Sequence, residues 1–445
     1  MHVGGVVVLE DPAPDFDQFL DTIRGRLHLV PRYRQKLALP PMRSGRPIWV
    51  DDPSFNIEYH VRRTALPPPG SEEQLLLLAS RIFSQQLDRS KPLWEMWIIE
   101  GLAGDRWALI NKTHHAMIDG VSGVDLATVI FDLSPEATVV DHPPESWTPA
   151  PEPGDVDLLA SGALGLARTA IDSAKSVKKM ISSPAAVFDG IRDRIEAVGE
   201  VARDAINAAP ETPLNVEIGP HRRFRVVEAQ LEDFKQIKNA LGGTVNDAVL
   251  TVVSGALRIW LQSRAVQTEG LELRALVPVS IRPQEAHHEL GNQIAAMRGP
   301  LPVYIDDPIE RLGVVREAMD GLKESKQALG AEVITEAQNF APPTLLAQAS
   351  RLNFSTRLFN LIVTNVPGPQ FPLYVGGSLM LSIAPVAFLP RNHALAVAIM
   401  SYNGGLSFGL LGDYDQLADI DVLADALQDS INELLALSSE AAASQ

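Results

Sequence analysis

No cysteine occurs among the 445 residues. Disulfides, thiolate nucleophiles and cysteine-ligated zinc or iron–sulfur sites are therefore excluded, and an intracellular address is favoured. Positive charge is scarce as well. Lys and Arg total 38 against 55 Asp and Glu, a formal net charge of −17. A nucleic-acid partner would demand a basic face, so no nucleic acid is expected. A local basic patch for a phosphorylated cofactor remains compatible with that balance. No run of about 18 apolar residues is present to span a bilayer. Nor does a charged segment followed by an apolar stretch open the chain, so no signal peptide is expected. The motifs of P-loop enzymes, dinucleotide-binding dehydrogenases and zinc proteases (His-Glu-x-x-His) are all missing. Aromatics make up only 6%, which leaves an aliphatic core of Leu, Val, Ile and Ala.

The length exceeds what one hydrophobic core usually supports, so two domains are expected. Residues 1–140 alternate strand and helix signals. Val6–Leu9 reads as a buried strand, and Phe16, Phe19, Leu20, Ile23 and Leu27 recur at helical spacing. Ser71 is placed to cap a helix running through Leu75–Leu78, Ile82 and Phe83. Trp94–Ile99 and Trp107–Asn111 read as strands, and helical spacing resumes from Val121. Five prolines crowd residues 141–153, and an Ala-rich, weakly amphipathic helical stretch fills about 155–209. Residues 141–212 thus read as a linker to a second domain, 213–445. There, strands are expected at 224–227, 273–279, 294–301, 360–365, 378–387, 394–401 and 406–411. Helices are expected at 231–241, 246–261, twice within 307–350, and at 417–437. The fold class is α/β of the mixed kind.

The Trp107–Asn111 strand delivers His114-His115-Ala-Met-Ile-Asp119-Gly120. Histidine suits proton transfer at neutral pH because its unperturbed pKa is near 6.5, and a tight glycine-closed loop can hold one ring rigid. The plainer reading is two histidines ending a strand, with Asp119 capping the next helix. Composition alone would produce a fixed His-His-x-x-x-Asp-Gly in such a chain about once in a thousand, which favours the functional reading. His287-His288 has the doublet without the acid and glycine and reads as a polar loop. Pro92-Leu93-Trp94 can simply start a buried strand. Thr244-x-x-Asp247 has the form of a capping box, and Asn246 either sits in that first turn or points at substrate. Thr364-Asn365-Val-Pro-Gly-Pro is either a strand end and turn or part of a tunnel wall.

The histidine run resembles the active-site motif of the chloramphenicol acetyltransferase-like superfamily. More narrowly, the chain resembles the bacterial wax ester synthase/diacylglycerol acyltransferase family. The resemblance rests on Pro92-Leu93-Trp94-Glu95, Asn246-Asp247, Gly291-Asn292-Gln293, Thr364-Asn365-Val-Pro-Gly-Pro and Ser401-Tyr402-Asn403-Gly404. These blocks run in family order along the whole chain. Three departures stand out: the chain opens somewhat inside the usual family start, Thr364 replaces a frequent serine, and Arg391-Asn392-His393 occupies a stretch that is commonly apolar and glycine-rich.

The resemblance implies two chloramphenicol acetyltransferase-like domains joined by the helical linker, with the active-site channel between them. It implies long-chain acyl-CoA as co-substrate, no bound cofactor and no metal. His115 would be the general base, with His114 beside it and Asp119 in the catalytic loop. Gly120 and an Asp119–Arg282 ion pair would support that loop, while Pro92, Leu93, Trp94, Asn246, Asp247, Thr364 and Asn365 are candidates for the substrate channel. Diacylglycerol is the acceptor favoured, giving triacylglycerol, with a long-chain fatty alcohol (wax ester) as alternative. A condensation-domain-like or non-catalytic relative is the other alternative. A cytoplasmic enzyme peripheral to the inner membrane face or to lipid droplets is expected. Leu158, Leu159 and Val177 with Lys175, Lys178 and Lys179 in the linker are candidates for the lipid contact.

Overall fold

The computed structural model describes residues 1–41, 47–117, 129–136, 147–154, 208–280, 294–324 and 355–443. The first half begins with strand β1 (His2–Glu10) and helix α1 (Phe16–Arg26). Strands β2 (Gln35–Ala38) and β3 (Ile48–Asp51), helix α2 (Ile57–His60), strand β4 (Val61–Ala65) and helix α3 (Glu72–Ser84) follow. Strands β5 (Trp94–Leu102) and β6 (Arg106–His114) lead to the histidine pair. The second half holds β7 (Arg222–Gln230), α4 (Leu231–Leu241), α5 (Val245–Ser263), β8 (Leu273–Ser280), β9 (Ile294–Leu301) and α6 (Pro308–Glu324). It closes with β10 (Leu361–Pro367), β11 (Tyr374–Val375), β12 (Ser378–Val386), β13 (Leu395–Tyr402), β14 (Gly405–Asp413) and α7 (Ile420–Ala443).

Two six-stranded sheets carry the architecture. The first runs β11-β12-β1-β6-β5-β4 and the second β7-β14-β13-β10-β8-β9. Period-two alternation explains how the first sheet is buried on both faces. Val7, Leu9, Trp107 and Leu109 face one way, onto Phe19, Leu20 and Ile23 of α1. Val6, Ala108 and Ile110 face the other way, onto Ala79, Ile82 and Phe83 of α3. In the second half, α5 and α7 pack together over the sheet in one aliphatic core.

Local chemistry fixes the helix starts. Ser71 Oγ accepts from the N–H of Gln74, whose side chain accepts the Ser71 N–H at 2.7 Å. Thr244 and Asp247 form the same reciprocal box at the head of α5, with the Thr244 N–H 2.8 Å from Asp247 Oδ2. The expected strands and helices that fall among the described residues are present, and the closing helix runs on to Ala443, while the helix expected from Val121 begins outside the described residues. The linker 155–207 and residues 325–350, which include the second helix expected there, lie outside the described residues.

One arrangement was not anticipated. Strand β12, from the second half, pairs antiparallel with β1 from Gly4–Val386 to Val8–Ser382, and after a one-residue shift at Leu9–Met380. The first sheet is thus completed by chain nearly 380 residues downstream. The third core cluster spans the join, placing Val6, Ile110 and Phe83 with Phe224, Phe359, Ala398 and Leu411.

Candidate active site

Strand β6 lies inside the first sheet between β1 and β5, and its C-terminal end delivers the histidines. His114 closes the strand, and His115–Met117 form one tight helical turn. Three main-chain bonds hold the position. The His114 N–H donates to Leu93 O at 2.9 Å, the His115 N–H to Met1 O at 3.0 Å, and the Ala116 N–H to the Nδ1 of His114 at 3.2 Å.

That last bond assigns a role to the first histidine. Its Nδ1 serves as an acceptor, so the ring is neutral with its proton on Nε2. Burial pushes the pKa of His114 down to about 4, with the chain's N-terminal ammonium and Arg89 adding to the effect. His114 braces the turn. The His115 ring instead stands exposed, edge-on to Phe388 at 5.1 Å between ring centres. Desolvation by its surroundings, followed by the N-terminal ammonium, lowers its pKa below 6.5. The free base form therefore predominates at neutral pH, as proton abstraction requires.

Two charged side chains buried behind the site position β6. Lys112 is fully buried and donates from Nζ to Ile82 O and Gln85 O, each at 2.7 Å, and to Glu95 Oε1 at 2.8 Å. All three protons of the ammonium are used, two of them on carbonyls at the C-terminal end of α3, where a cation is favoured. Glu95 also faces Arg62 at 3.5 Å. Both Lys112 and Glu95 are charged residues in largely apolar strands, and the register sets them directly opposite.

The remaining expected site residues are placed as follows. Leu93 and Trp94, expected at a substrate channel, are core residues, 1% and 0% exposed. The Trp94 indole donates to Tyr33 O at 2.8 Å and stacks on His60 at 4.7 Å, while His60 Nδ1 lies 2.8 Å from Trp94 O. Pro92 is buried beside them. Asp247 is buried in its capping box, with Asn246 half-buried in the same turn. Thr364 and Asn365 are half-buried in β10, paired with Ala398 and Ile399. Asp119, Gly120 and Arg282 lie outside the described residues, as do His287 and His288. Among the described residues no group of three or more His, Asp or Glu is gathered to hold a metal.

A cavity of about 510 Å³ opens beside the turn. Met1, His2 and His114 line it from the first half, and Phe388, the residue against His115, lines it from the second. Arg89, Arg222 and Arg391 also line it. They come from three segments far apart in the chain, Arg222 opening β7, so no spacing in the sequence announced them. Neither Pro92–Trp94 nor Asn246, Asp247, Thr364 or Asn365 reaches this cavity.

The model of the wax ester synthase/diacylglycerol acyltransferase catalytic domain matches residues 1–249, and that of the WS/DGAT C-terminal domain matches 290–435. The probable diacylglycerol O-acyltransferase tgs1 of Mycobacterium tuberculosis is 33% identical over 443 residues, covering 98% of this chain and 92% of that protein. The probable diacylglycerol O-acyltransferase tgs2 of the same organism is 33% identical over 451 residues, covering 98% and 94%. Among solved structures, the wax ester synthase/diacylglycerol acyltransferase from Marinobacter aquaeolei VT8 superposes with a TM-score of 0.67 at 26% identity, over 99% of this chain and 95% of that one. The first condensation domain of the calcium-dependent antibiotic synthetase shares the fold, with a TM-score of 0.58 at 16% identity over 98% and 91%.

Proposed function

The chain belongs to the wax ester synthase/diacylglycerol acyltransferase family, and on that footing we propose that it transfers a long-chain acyl group from coenzyme A to the free hydroxyl of a diacylglycerol, making triacylglycerol. The observation that carries the reading is near full-length similarity to two proteins named diacylglycerol O-acyltransferases. The location of His115 supplies the chemistry. Its free-base imidazole takes the acceptor's hydroxyl proton as that oxygen attacks the thioester carbonyl. The tetrahedral intermediate collapses with cleavage of the C–S bond, and the imidazolium returns the proton to the departing thiolate. No covalent acyl-enzyme is required, which accords with the absence of cysteine; Ser407, the serine of Gly405-Leu-Ser-Phe-Gly409, is buried inside β14 with its hydroxyl donating to Glu228 Oε2 at 2.7 Å, not on a strand-to-helix turn.

A fatty alcohol acceptor is the second reading, supported by the wax ester synthase in the family's name. Both acceptors are apolar and must come from a membrane or droplet surface. We assign that contact, on the cytoplasmic side, to the linker segment 155–209, whose lysines and aliphatic residues suit anionic lipid. Thiol release from palmitoyl-CoA, with product identification, tests the function. Release that depends on diacylglycerol and yields triacylglycerol supports it. Release driven only by hexadecanol moves the assignment to wax ester synthesis, and no release with either acceptor overturns it.

A further inference from the structure

The cavity beside His114 has a charge pattern opposite to that of the molecule. The chain carries 17 more acidic than basic residues, yet none of the described residues lining this cavity is acidic, while three are arginines. Two of the three hold exposed side chains on rigid supports. Arg89 follows Asp88, whose carboxylate accepts from the N–H and hydroxyl of Ser90 at 2.9 and 2.8 Å. Arg391 sits in a turn in which the His393 N–H reaches Pro390 O and Asn392 adopts a φ of 62°. The fully buried His393 ring locks that turn, with one nitrogen 2.9 Å from Arg391 O, the other 3.1 Å from Phe359 O, and its face 4.4 Å from the Phe359 ring. Among the described residues neither Arg89 nor Arg391 forms an ion pair.

Arg222 is the fixed member. Its Nη1 donates to Gly219 O and His221 O, each at 2.7 Å, and lies 3.5 Å from the buried carboxylate of Asp413. Asp413 offsets part of its charge, so the uncompensated positive field comes chiefly from the other two. Burial first, then the nearby Lys112, the N-terminal ammonium, His114 and Arg222, together lower the pKa of His2 to about 3. A small enclosure lined by guanidinium groups without acids suits multidentate recognition of phosphate oxygens. Its volume falls in the usual range for small-molecule sites.

We propose that Arg89, Arg391 and Arg222 bind the phosphates of coenzyme A, so that acyl-CoA enters through this cavity and its thioester end passes Phe388 to reach His115. The assignment rests on the acyl-CoA reading above and deepens it by fixing which mouth admits the donor. The unusual Arg391-Asn392-His393 stretch acquires a function: it carries one phosphate ligand and the histidine that holds it in place.

Calorimetric titration of the full chain with free coenzyme A tests the site. An Arg89→Ala/Arg391→Ala variant removes two exposed side chains and should fold normally. Its affinity for coenzyme A should fall about tenfold or more, given the usual strength of partly exposed charged hydrogen bonds. Pantetheine, which lacks phosphate, should bind both proteins equally. In turnover, KM for palmitoyl-CoA should rise while kcat stays within about twofold. Unchanged coenzyme A affinity overturns the proposal, as does an equal loss for pantetheine. Arginine-dependent binding to phosphatidylglycerol vesicles, with coenzyme A binding unaffected, would reassign the site to a lipid headgroup and also overturn it. Should no acceptor be acylated while coenzyme A still binds through the arginines, the acyltransfer reading fails and the phosphate site stands.

Discussion

The main-chain N–H of His114 donates to the carbonyl of Leu93 across 2.9 Å, so the end of the strand that delivers the histidine pair is tied to the Pro92-Leu93-Trp94 block. Trp94 anchors that block through its indole bond to Tyr33 O and its stack on His60. Trp94→Phe would leave the buried Tyr33 carbonyl without this donor and open a gap. We expect a loss of about 1–3 kcal/mol of stability, read by urea denaturation, together with a fall in kcat. A variant as stable and active as the parent would remove the block from the support of the site.

The two histidines should separate cleanly by substitution. His115→Ala deletes the base and should lower kcat/KM by at least about a hundredfold. His114→Ala removes the acceptor for the Ala116 N–H and should leave partial activity. His114→Asn can restore an acceptor near the Nδ1 position and should recover more than the alanine variant does. Steady-state kinetics of the three variants decides, and near-parental turnover in His115→Ala would remove it as the base.

The pH dependence follows from the direction of the His115 shift. Activity needs the neutral imidazole, and desolvation favours that form by lowering the pKa below 6.5. The acid limb of kcat/KM should therefore be centred below pH 6.5, with the rate near its plateau at pH 8. An acid limb of kcat/KM centred at or above 6.5 would contradict the environment described for His115.

The secondary structure was legible where physics is local. The alternation Val6–Leu9, the Phe16–Ile23 spacing, the Ser71 cap and the Thr244–Asp247 box each depend on residues a few positions apart. The half-polar hairpin β2–β3 and the short β4 gave no such signal, because Gln35-Lys-Leu-Ala and Val61-Arg-Arg-Thr-Ala are too brief and too polar to stand out. The pairing of β12 with β1 was invisible for another reason. Ser378–Val386 reads as a strand, but its partner is a tertiary fact. The histidine pair was legible from its spacing. The arginines of the cavity were not, since residues 89, 222 and 391 meet only after both halves have folded.

His60 offers a stability test of the same neighbourhood. It is 1% exposed, and burial lowers its pKa to about 4, opposed by its bond to Trp94 O. The unfolded chain takes up a proton below pH 6.5 that the folded chain resists. This contribution to stability is fully present above pH 6.5 and is lost as pH falls from 6.5 toward 4, to a total on the order of 3 kcal/mol. Urea denaturation across that window should show the slope, and His60→Gln should flatten it. An unchanged slope in the variant would assign the acid sensitivity to other groups.

Gly409 tests whether the join between the halves is as close as its geometry requires. Gly409 lies in β14 of the second sheet, and Pro385 lies in β12, which completes the first. A Cβ at Gly409 would stand 1.9 Å from Pro385 O and 3.1 Å from the Phe224 ring. The first obstacle is backbone held in register with Gly5, so it cannot turn aside as a flexible side chain would. Gly409→Ala must push β12 away from β14, loosening the third core and the 386–389 segment that brings Phe388 to His115. We expect a loss of about 1–3 kcal/mol, as for overpacked interiors, with reduced turnover. Gly313, inside α6, is the matched control, because nothing lies within 4 Å of its would-be Cβ. Gly313→Ala should raise stability by about 0.5–1 kcal/mol through helix propensity alone. The same chemical change at two glycines should thus act with opposite signs in urea denaturation. A Gly409→Ala protein as stable as its parent would mean that the two sheets do not meet there.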